Sequence, residues 1–314
     1  MGNRNWFTFS NRKKILITSS MILLLLLSSF IIYAPTVYQT VKKTIIAIHE
    51  PIQREVSEKR MQEVVFEEKD PISFLLMGVD EREGDRGRSD SLIVITVNPN
   101  SQSLKMVSIP RDTRTEIIGK GFEDKINHAF AFGGIEMVLT TVEHFLDIPI
   151  DYFIKVNMES FKDIVDVLGG VTVNNPFAFE SDGIAFGEGE IVLDGEQALS
   201  FARMRYDDPR GDFGRQDRQK QIIGSIMDKG AGISSIVHFK EILQTIGNNV
   251  TTNLTFEEMY DIQKNYKKSR HNLETLALAG EGTMINQIYY YIVSEDDKEI
   301  VIGTLKEHLE IQSE

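Results

Sequence analysis

The feature that most constrains this chain is a run of twenty uncharged, mostly apolar residues near its N-terminus, ILITSSMILLLLLSSFIIYA, which covers residues 15–34. As an α-helix, such a run spans roughly 30 Å, the thickness of the hydrocarbon core of a bilayer. The charged residues before it are all basic: Arg4, Arg12, Lys13 and Lys14. Because basic flanks favour the cytoplasmic side, the pattern predicts a single-pass type II signal anchor in the cell membrane, with residues 1–14 as a cytoplasmic tail and the rest of the chain extracytoplasmic.

A cleaved signal peptide is the alternative interpretation of this run. The apolar region of a signal peptide is usually about 7–15 residues long and is followed by a small-residue cleavage site. The run at 15–34 is longer and no A-x-A site follows it, so the sequence favours an uncleaved anchor. The chain also contains no cysteine, which excludes disulfide bonds and thiolate chemistry.

Beyond the anchor, the sequence predicts a linker and then one catalytic domain. Residues 35–70 are rich in charge with weak helical periodicity, which predicts an extracytoplasmic stalk or linker helix that acts as a solvated spacer. Residues 71–314 contain 24 Lys and Arg against 40 Asp and Glu, a net charge of −16. Since a nucleic-acid partner needs a broad basic face, no nucleic acid is expected to bind.

Signals for strands and helices alternate along residues 71–314. The apolar runs SFLLMGVD, SLIVITVN and LKMVSIPRD predict buried strands, and DYFIKVN, VTVNN and QIYYYIV predict further ones. Helices are predicted at 127–145, over SFKDIVDVL, from about Gly195, over GRQDRQKQIIGSIMDKG, from the capping box of Thr255 and Glu258 to about Lys268, and at 297–311. This alternation is typical of an α/β domain, in which ligands bind beyond the carboxyl ends of strands.

Arginine is concentrated in two windows, which together hold ten of the 15 arginines in the chain. The first contains Arg82, Arg86, Arg88, Arg111 and Arg114, and the second contains Arg203, Arg205, Arg210, Arg215 and Arg218. A guanidinium stays charged and its planar fork of donors matches phosphate oxygens. Converging arginines therefore predict a pyrophosphate site, and a set of surface Arg–Asp ion pairs is the alternative.

Two carboxylates accompany the first window. Asp80 ends one predicted strand and Asp90 begins the next, with the loop EREGDRGRS between them. If these strands pair, the carboxylates meet at one end of the sheet, where they would suit Mg²⁺, a hard cation that binds one or two carboxylates together with substrate phosphates. A role in capping the loop is the alternative, but beside arginines the pair predicts phosphoryl transfer, which depends on positioning and charge neutralisation.

Other catalytic patterns are missing from the sequence. There is no G-x-x-x-x-G-K-[ST], no G-x-G-x-x-G after a strand, no H-E-x-x-H and no G-x-S-x-G, which argues against nucleotide-binding loops, zinc proteases and serine hydrolases. His128 begins an apolar helix and is interpreted as a packed or capping residue. Lys125 is the better candidate, as another cation that faces phosphate.

Several separated motifs occur in a fixed order: GVDER with GRSDSLIVITVN, MVSIPRDT, DKINHAFAFGG, DYFIKVNMESFKDIVDVLGGV, LDGEQALSFARMR and GDFGRQDRQ. Together they resemble the LytR-CpsA-Psr family of Gram-positive cell-wall enzymes over residues 71–229, with further elements at 230–314. The resemblance implies a three-layer α/β/α sandwich with a mixed central sheet, preceded by the transmembrane helix. It also implies an apolar groove for a prenyl tail, for which Phe130, Phe132, Val138 and Phe145 are candidates, with ordinary core packing as the alternative.

The resemblance also implies site residues. Asp80 and Asp90 correspond to carboxylates that bind Mg²⁺ or Mn²⁺. The residues in the motifs that grip the pyrophosphate are Arg82, Arg88, Arg111, Arg203, Arg205, Arg215, Arg218 and Gln219. Arg86, Arg114 and Arg210 are not assigned.

The implied activity is the transfer of an anionic glycopolymer such as wall teichoic acid from a polyprenyl pyrophosphate carrier to peptidoglycan, through a phosphodiester. Asp80, Asp90 and Arg111 would take part in catalysis, and Asp212 or Asp112 would serve as the general base if either reaches the acceptor hydroxyl. A membrane-anchored protein that binds polyprenyl pyrophosphates without turnover is one alternative, although it would need only the cations. A pyrophosphatase that releases free polymer is the other.

Overall fold

A computed structural model of the chain describes residues 11–54, 56–60, 62–79, 87–157, 160–205, 207–230, 244–247 and 249–311. In these ranges the principal helices are α1 Asn11–Ile48, α2 His128–Leu146, α3 Ser160–Val167, α4 Gly195–Arg203, α5 Asp212–Gly230, α6 Phe256–Asn265 and α7 Glu295–His308. The strands are β1 Ile72–Val79, β2 Ser89–Asn98, β3 Ser103–Ile109, β4 Arg114–Ile117, β5 Phe122–Lys125, β6 Tyr152–Asn157, β7 Val171–Asn175, β8 Phe179–Ser181, β9 Ile184–Phe186, β10 Gly189–Leu193, β11 Val250–Thr252, β12 Leu273–Leu276, β13 Gly280–Ile285 and β14 Ile288–Val293.

The domain is built on a mixed six-stranded sheet with the strand order β11-β6-β1-β2-β3-β12. The three apolar runs predicted as buried strands form β1, β2 and β3, which are antiparallel neighbours. β1 is parallel to β6, and β3 is parallel to β12. The prediction of an α/β domain with a mixed central sheet is confirmed.

Helices pack against both faces of this sheet. Because side chains alternate along a strand, Leu75 and Met77 of β1 point into a core shared with α2 and α7, whereas Ile72 and Phe74 point into a core shared with α6. Leu75 and Met77 are completely buried, and a buried side chain of this size contributes about 1.5–3 kcal/mol. Helices thus cover both faces of the sheet, and the ends of its strands remain accessible to a ligand.

Helix caps explain where several predicted helices begin. Thr255 and Glu258 form the predicted capping box at the start of α6, and the Thr255 hydroxyl accepts a bond from the backbone N–H of Glu258 at 3.2 Å. The helix ends at Asn265, slightly before the predicted end. The last helix begins at Glu295, two residues earlier than predicted, because Ser294 caps it.

Two helices, α1 and α2, contain long apolar stretches of the kind that can cross a membrane. Residues 15–34 lie within α1, which continues through Pro35 to Ile48. Among the described residues α2 is long and apolar enough to cross a membrane, but 56% of its apolar window is buried inside the protein. Burial of that kind is typical of the core helix of a folded domain.

Residues 49–70 differ from the prediction of a helical, solvated linker. Where they are described they form turns that pack against the domain. Arg54 forms an ion pair with the buried Glu143 of α2, and Arg60 donates to Asp151 at 2.7 Å. The prediction of a solvated spacer was wrong here, because these charges pair with residues far away in the sequence, which periodicity cannot detect.

Candidate active site

The candidate site lies at the edge of the sheet where β1 ends, β2 begins and β3 ends. The predicted pairing of β1 with β2 is confirmed, and its register shifts at this edge: Gly78 faces Ser91, but Val79 faces Ser89. Asp90 is therefore the extra residue of a bulge. Bulges are common next to active sites because they re-aim a side chain.

Part of the first arginine window falls outside the described residues. Asp80, Arg82 and Arg86 lie in the segment 80–86, which the structure does not describe. Arg88 is exposed just before β2 begins. The ends of β1 and β2 bring both sides of this segment to the same edge of the sheet.

Arg111 joins Asp90 to the residues that follow β3. Its Nη1 donates to Oδ1 of Asp90 at 2.9 Å, and its Nε lies 3.8 Å from Oδ2 of Asp112. The other oxygen of Asp112 accepts from Nζ of Lys125 at 2.7 Å. Burial is the largest influence on the pKa of Arg111 and lowers it, but Asp90 and Asp112 outweigh burial and raise it above its ordinary value. Four of the predicted site residues, Asp90, Arg111, Asp112 and Lys125, are thus in one cluster.

The second window begins at the end of α4. Arg203, the last residue of α4, is exposed, and Arg205 is half-buried. Met204 lies between them and is buried, and its backbone N–H donates to the carbonyl of Ser200 at 3.0 Å. Since Met204 is extended and turns inward, its two neighbours project toward the outside of the turn.

Arg218 is placed differently from the other predicted pyrophosphate ligands. It is 1% exposed and lies over the ring of Phe179 at 5.5 Å. Its Nη1 donates to the buried carboxylate of Asp208 at 2.6 Å, and its Nε donates to the carbonyl of Phe201 at 3.0 Å. The guanidinium therefore fixes the turn between α4 and α5 from inside.

Asp208 is the second half of this internal support. Burial is the largest influence on its pKa and raises it, but hydrogen bonds from Arg210 and Arg218 lower the pKa below its ordinary value. A Cβ atom added at Gly214 would lie 1.7 Å from Oδ2 of Asp208. Glycine is therefore required at 214, because any side chain would displace the carboxylate.

Arg215 is a buried charge that its surroundings compensate only in part. It is 8% exposed, it pairs with Asp212 at 2.8 Å, and its Nε is buried without a hydrogen-bond partner in the described structure. Burial is the main reason that the pKa of Arg215 is lowered, and repulsion from Arg111 and Arg205 lowers it further, against attraction from Asp212. The two arginine windows therefore converge on this residue.

Gln219 joins α5 to the sheet. Its Oε1 accepts a bond from the hydroxyl of Ser91 at 3.0 Å, next to Asp90 in β2. Lys125 and Gln219 thus anchor the two sides of the site. Two of the unassigned arginines are described and both form ion pairs: Arg114 lies 2.6 Å from Glu123, and Arg210 lies 2.7 Å from Asp217 and 3.2 Å from the buried Asp208.

A cleft of about 390 Å³ opens beside these residues. One wall carries Arg205 and Asp212, and the facing wall is the hairpin of β13 and β14, with Tyr289 and Tyr291. Asp112 lies at its margin. Sequence reasoning missed this wall: QIYYYIV predicted a strand, but nothing in that pattern places the strand beside Asp112. It also missed Asp208, whose burial has no sequence signal.

The comparison with known families decides what kind of site this is. Residues 35–307 match the model of the LytR_cpsA_psr family. The chain belongs to this family. The resemblance in the motifs is thereby confirmed for almost the whole chain, including the packed residues 49–70 and the C-terminal hairpin.

Relatives and solved structures of the family agree with this membership. The polyisoprenyl-teichoic acid–peptidoglycan teichoic acid transferase TagU of Bacillus licheniformis is 54% identical over 298 residues, which is 95% of this chain and 97% of that protein. The crystal structure of Bacillus subtilis TagU matches with a TM-score of 0.64 at 54% identity, over 78% of this chain and 100% of that one. The family protein YwtF (TagT) with bound octaprenyl pyrophosphate lipid matches with a TM-score of 0.68 at 29% identity, over 84% of this chain and 100% of that one.

Of the two carboxylates predicted to bind Mg²⁺, Asp90 lies within the part of the chain that is described. Asp90 offers a partly exposed carboxylate, 34% accessible, at the edge where Arg111 and Arg215 converge. Among the residues that the structure describes there is no group of three or more Asp, Glu, His or Cys that could hold a metal. A single carboxylate beside a phosphate site is compatible with Mg²⁺, which takes its remaining ligands from phosphate and water.

Proposed function

We propose that this protein transfers an anionic glycopolymer, with wall teichoic acid the best supported, from a polyprenyl pyrophosphate carrier to peptidoglycan through a phosphodiester bond. The observation that carries the proposal is the convergence of Arg111, Arg205 and Arg215 beside Asp90. The names and ligands of the similar proteins support it, since one is a teichoic acid transferase and another holds octaprenyl pyrophosphate.

The cations bind and neutralise the pyrophosphate. The proposed binding set consists of Arg82, Arg88, Arg111, Lys125, Arg203, Arg205, Arg215 and Gln219. Arg215 is the centre of this set, because Arg111 and Arg205 both lie close enough to repel its charge and a phosphate placed among the three would neutralise that repulsion. Arg218 contributes indirectly, by holding the turn that presents Arg203 and Arg205.

The reaction is an exchange at one phosphorus atom. A hydroxyl oxygen of a peptidoglycan sugar attacks the phosphorus attached to the glycopolymer, and the bond from that phosphorus to the bridging oxygen breaks. Polyprenyl phosphate leaves, and its new negative charge stays among the arginines. Positioning and charge stabilisation are most of what phosphoryl transfer requires.

The proton of the attacking hydroxyl passes to a carboxylate, for which we propose Asp212. Both Asp112 and Asp212 line the cleft. Asp112 is shared between Lys125 at 2.7 Å and Arg111 at 3.8 Å, so both of its oxygens already have a cationic partner. In the described part of the chain Asp212 forms an ion pair with one cation, Arg215, at 2.8 Å.

Asp80 and Asp90 would hold Mg²⁺, or Mn²⁺ in its place. The ion would supply positive charge at the phosphate oxygens. Asp90 is presented for this role by its bulge and is oriented by Arg111. Replacement of Asp90 by asparagine should therefore weaken the response of activity to added Mg²⁺.

Topology follows from the anchor. We place residues 1–14 in the cytoplasm, 15–34 in the membrane, 35–70 as the connection and 71–314 outside as the catalytic domain, in a three-layer α/β/α arrangement. Helices on both faces of the sheet support the layers, and the helical state of the apolar run supports the anchor. The carrier lipid and the enzyme then share one membrane.

The proposal is tested with the full chain in liposomes that contain lipid-linked teichoic acid, Mg²⁺ and peptidoglycan fragments, with products read by mass spectrometry. A phosphodiester adduct is expected, and the Arg203→Ala/Arg205→Ala double variant should lose at least tenfold in rate, about 1.4 kcal/mol. Arg270→Ala, remote from the site in the turn after α6, is the control. Free polymer as the product would indicate a pyrophosphatase, and unchanged donor would indicate a binding protein.

A further inference from the structure

We propose that the cleft between the β13–β14 hairpin and the start of α5 binds the acceptor saccharide, with Tyr289 as the platform for a sugar ring. This inference rests on the proposed function, because it locates the acceptor of that reaction. The occupant we assign is a neutral, polyhydroxylated stretch of glycan, not the anionic polymer or the prenyl tail.

Hydrogen bonds and a ring contact hold the hairpin beside the site. The backbone N–H of Tyr291 donates to the carbonyl of Asp112 at 2.9 Å, so β14 is tied directly to the residue that follows Arg111. The hydroxyl of Tyr291 donates to the carbonyl of Leu278 at 3.2 Å, and its ring meets the edge of Phe213 at 5.8 Å. The hairpin and α5 therefore form two walls with a defined spacing.

Tyr289 presents an aromatic surface inside this cleft. Its side chain packs against the bare backbone of Gly282, where an added Cβ would come within 2.6 Å of the tyrosine oxygen. Tyr289 nevertheless remains 41% exposed, and its exposed surface lines the cleft. The C–H face of a pyranose ring is apolar, and an exposed ring with a polar tip, such as tyrosine, suits a surface of that kind.

The polar groups of the cleft suit hydroxyl groups. Asp112, Asp212 and Gln216 line it together with Tyr289. Carboxylates accept hydrogen bonds from sugar hydroxyls, and the amide of Gln216 offers both a donor and an acceptor. A few placed polar groups around an aromatic surface are typical of a ligand site.

The same groups argue against the other two parts of the substrates. A prenyl chain would have to strip water from the charged groups that line the cleft, which is costly. Two carboxylates, Asp112 and Asp212, stand there against two arginines, Arg205 and Arg210, so the lining has no net positive charge to attract the polyanionic teichoic acid. A neutral glycan meets neither penalty, so it is the occupant that the lining favours.

The cleft lies next to both the proposed base and the proposed pyrophosphate site. Arg205 and Asp212 belong both to its wall and to the surroundings of Arg215. A sugar bound on Tyr289 would therefore have a hydroxyl next to the proposed base and beside the pyrophosphate. Binding in this place would convert an encounter of two large polymers into a local reaction.

The experiment separates KM for the acceptor from KM for the lipid donor, in full-length protein with a soluble muramyl tetrasaccharide as the acceptor probe. Tyr289→Ala should raise KM for the tetrasaccharide about tenfold, which corresponds to about 1.4 kcal/mol, and should leave KM for the donor within twofold. Tyr289→Phe keeps the ring and should behave as wild type. Tyr260→Ala removes a tyrosine of α6 that is even more exposed, at 61% against 41% for Tyr289, and should change neither constant.

A binding measurement without donor makes the result independent of turnover. Tetrasaccharide titrated into the wild-type protein should shift NMR signals of labelled tyrosine, and the shifts should be lost in Tyr289→Ala, whose folding is checked by circular dichroism. Unchanged acceptor KM and unchanged binding in a folded Tyr289→Ala variant, while wild type still forms the adduct, overturn the inference alone. Absence of any adduct with the wild-type protein overturns the proposed function instead.

Discussion

Replacing Arg215 with methionine should raise the free energy of unfolding and at the same time abolish the stabilisation of the protein by added pyrophosphate. Arg215 is 8% exposed, and its buried Nε has no partner in the described structure. A buried donor that is left unsatisfied costs about 1–3 kcal/mol. Burial and the neighbouring cations Arg111 and Arg205 lower the pKa of the guanidinium, which means that the folded state disfavours its charge.

The expected gain in the free energy of unfolding is about 1 kcal/mol. Methionine is unbranched and fills the space of the stem. The ion pair with Asp212 is lost, but that carboxylate is 23% exposed and still accepts from Nε2 of Gln216 at 3.0 Å. The loss therefore offsets only part of the gain. Sites that bind charge are commonly less stable than they would be without it.

The assay is urea unfolding of the detergent-purified full chain, followed by circular dichroism with and without inorganic pyrophosphate. At a hundredfold excess over Kd, a ligand that binds only the folded state stabilises it by about 2.7 kcal/mol, and wild type should show this increase. Arg215→Met should show almost none, whereas Arg270→Met should respond like wild type. A loss of more than about 1 kcal/mol of stability in Arg215→Met, or a retained response to pyrophosphate, would refute the reasoning.

Three further predictions concern the support of the turn between α4 and α5. Asp208→Asn should lower the free energy of unfolding by about 3 kcal/mol, because it leaves the buried Arg218 without its counter-ion; urea midpoints check this, and Asp217→Asn on the surface is the control. Gly214→Ala should cost about 2 kcal/mol, since its Cβ would overlap the Asp208 carboxylate; Gly230→Ala, where a Cβ meets nothing, should cost little. The pKa of Asp208 is lowered in the folded state, so the stabilisation that its carboxylate provides should be fully present above about pH 4. It should be lost as the pH falls through the pKa that Asp208 has in the folded protein. Unfolding curves from pH 3 to 7 should therefore show a smaller loss of unfolding free energy at acid pH in Asp208→Asn than in wild type.

The sequence predicted those parts of the fold that depend on local pattern. The strands SFLLMGVD, SLIVITVN and LKMVSIPRD are continuous apolar runs, and their burial on both sides follows from that composition. The capping box at Thr255 was equally local. Residues 49–70 were misread because Arg60 finds Asp151 ninety residues away along the chain, and a local pattern carries no record of such a partner.

Part of the candidate site could likewise be predicted from local sequence, and part of it could not. Residue type alone indicated that arginines and carboxylates gather for a phosphate group, and the structure brings Asp90, Arg111 and Arg215 together. What residue type could not reveal is which guanidinium faces inward. Arg215 and Arg218 are three residues apart on α5, almost one helical turn, yet one lies at the cluster and the other is sealed between Phe179 and Asp208.

The bond between the N–H of Tyr291 and the carbonyl of Asp112 has a consequence for how such enzymes diversify. The groups that grip the phosphates come from the first two thirds of the domain, but the opposite wall of the cleft is a hairpin contributed near the end of the chain. Within that hairpin Tyr290 and Tyr291 are buried against the domain, whereas Tyr289 is 41% exposed and lines the cleft, so Tyr289 can vary with the least disturbance of the packing. Exchange of residues 280–293 between relatives is therefore a route by which the choice of acceptor glycan changes while the choice of lipid carrier stays the same.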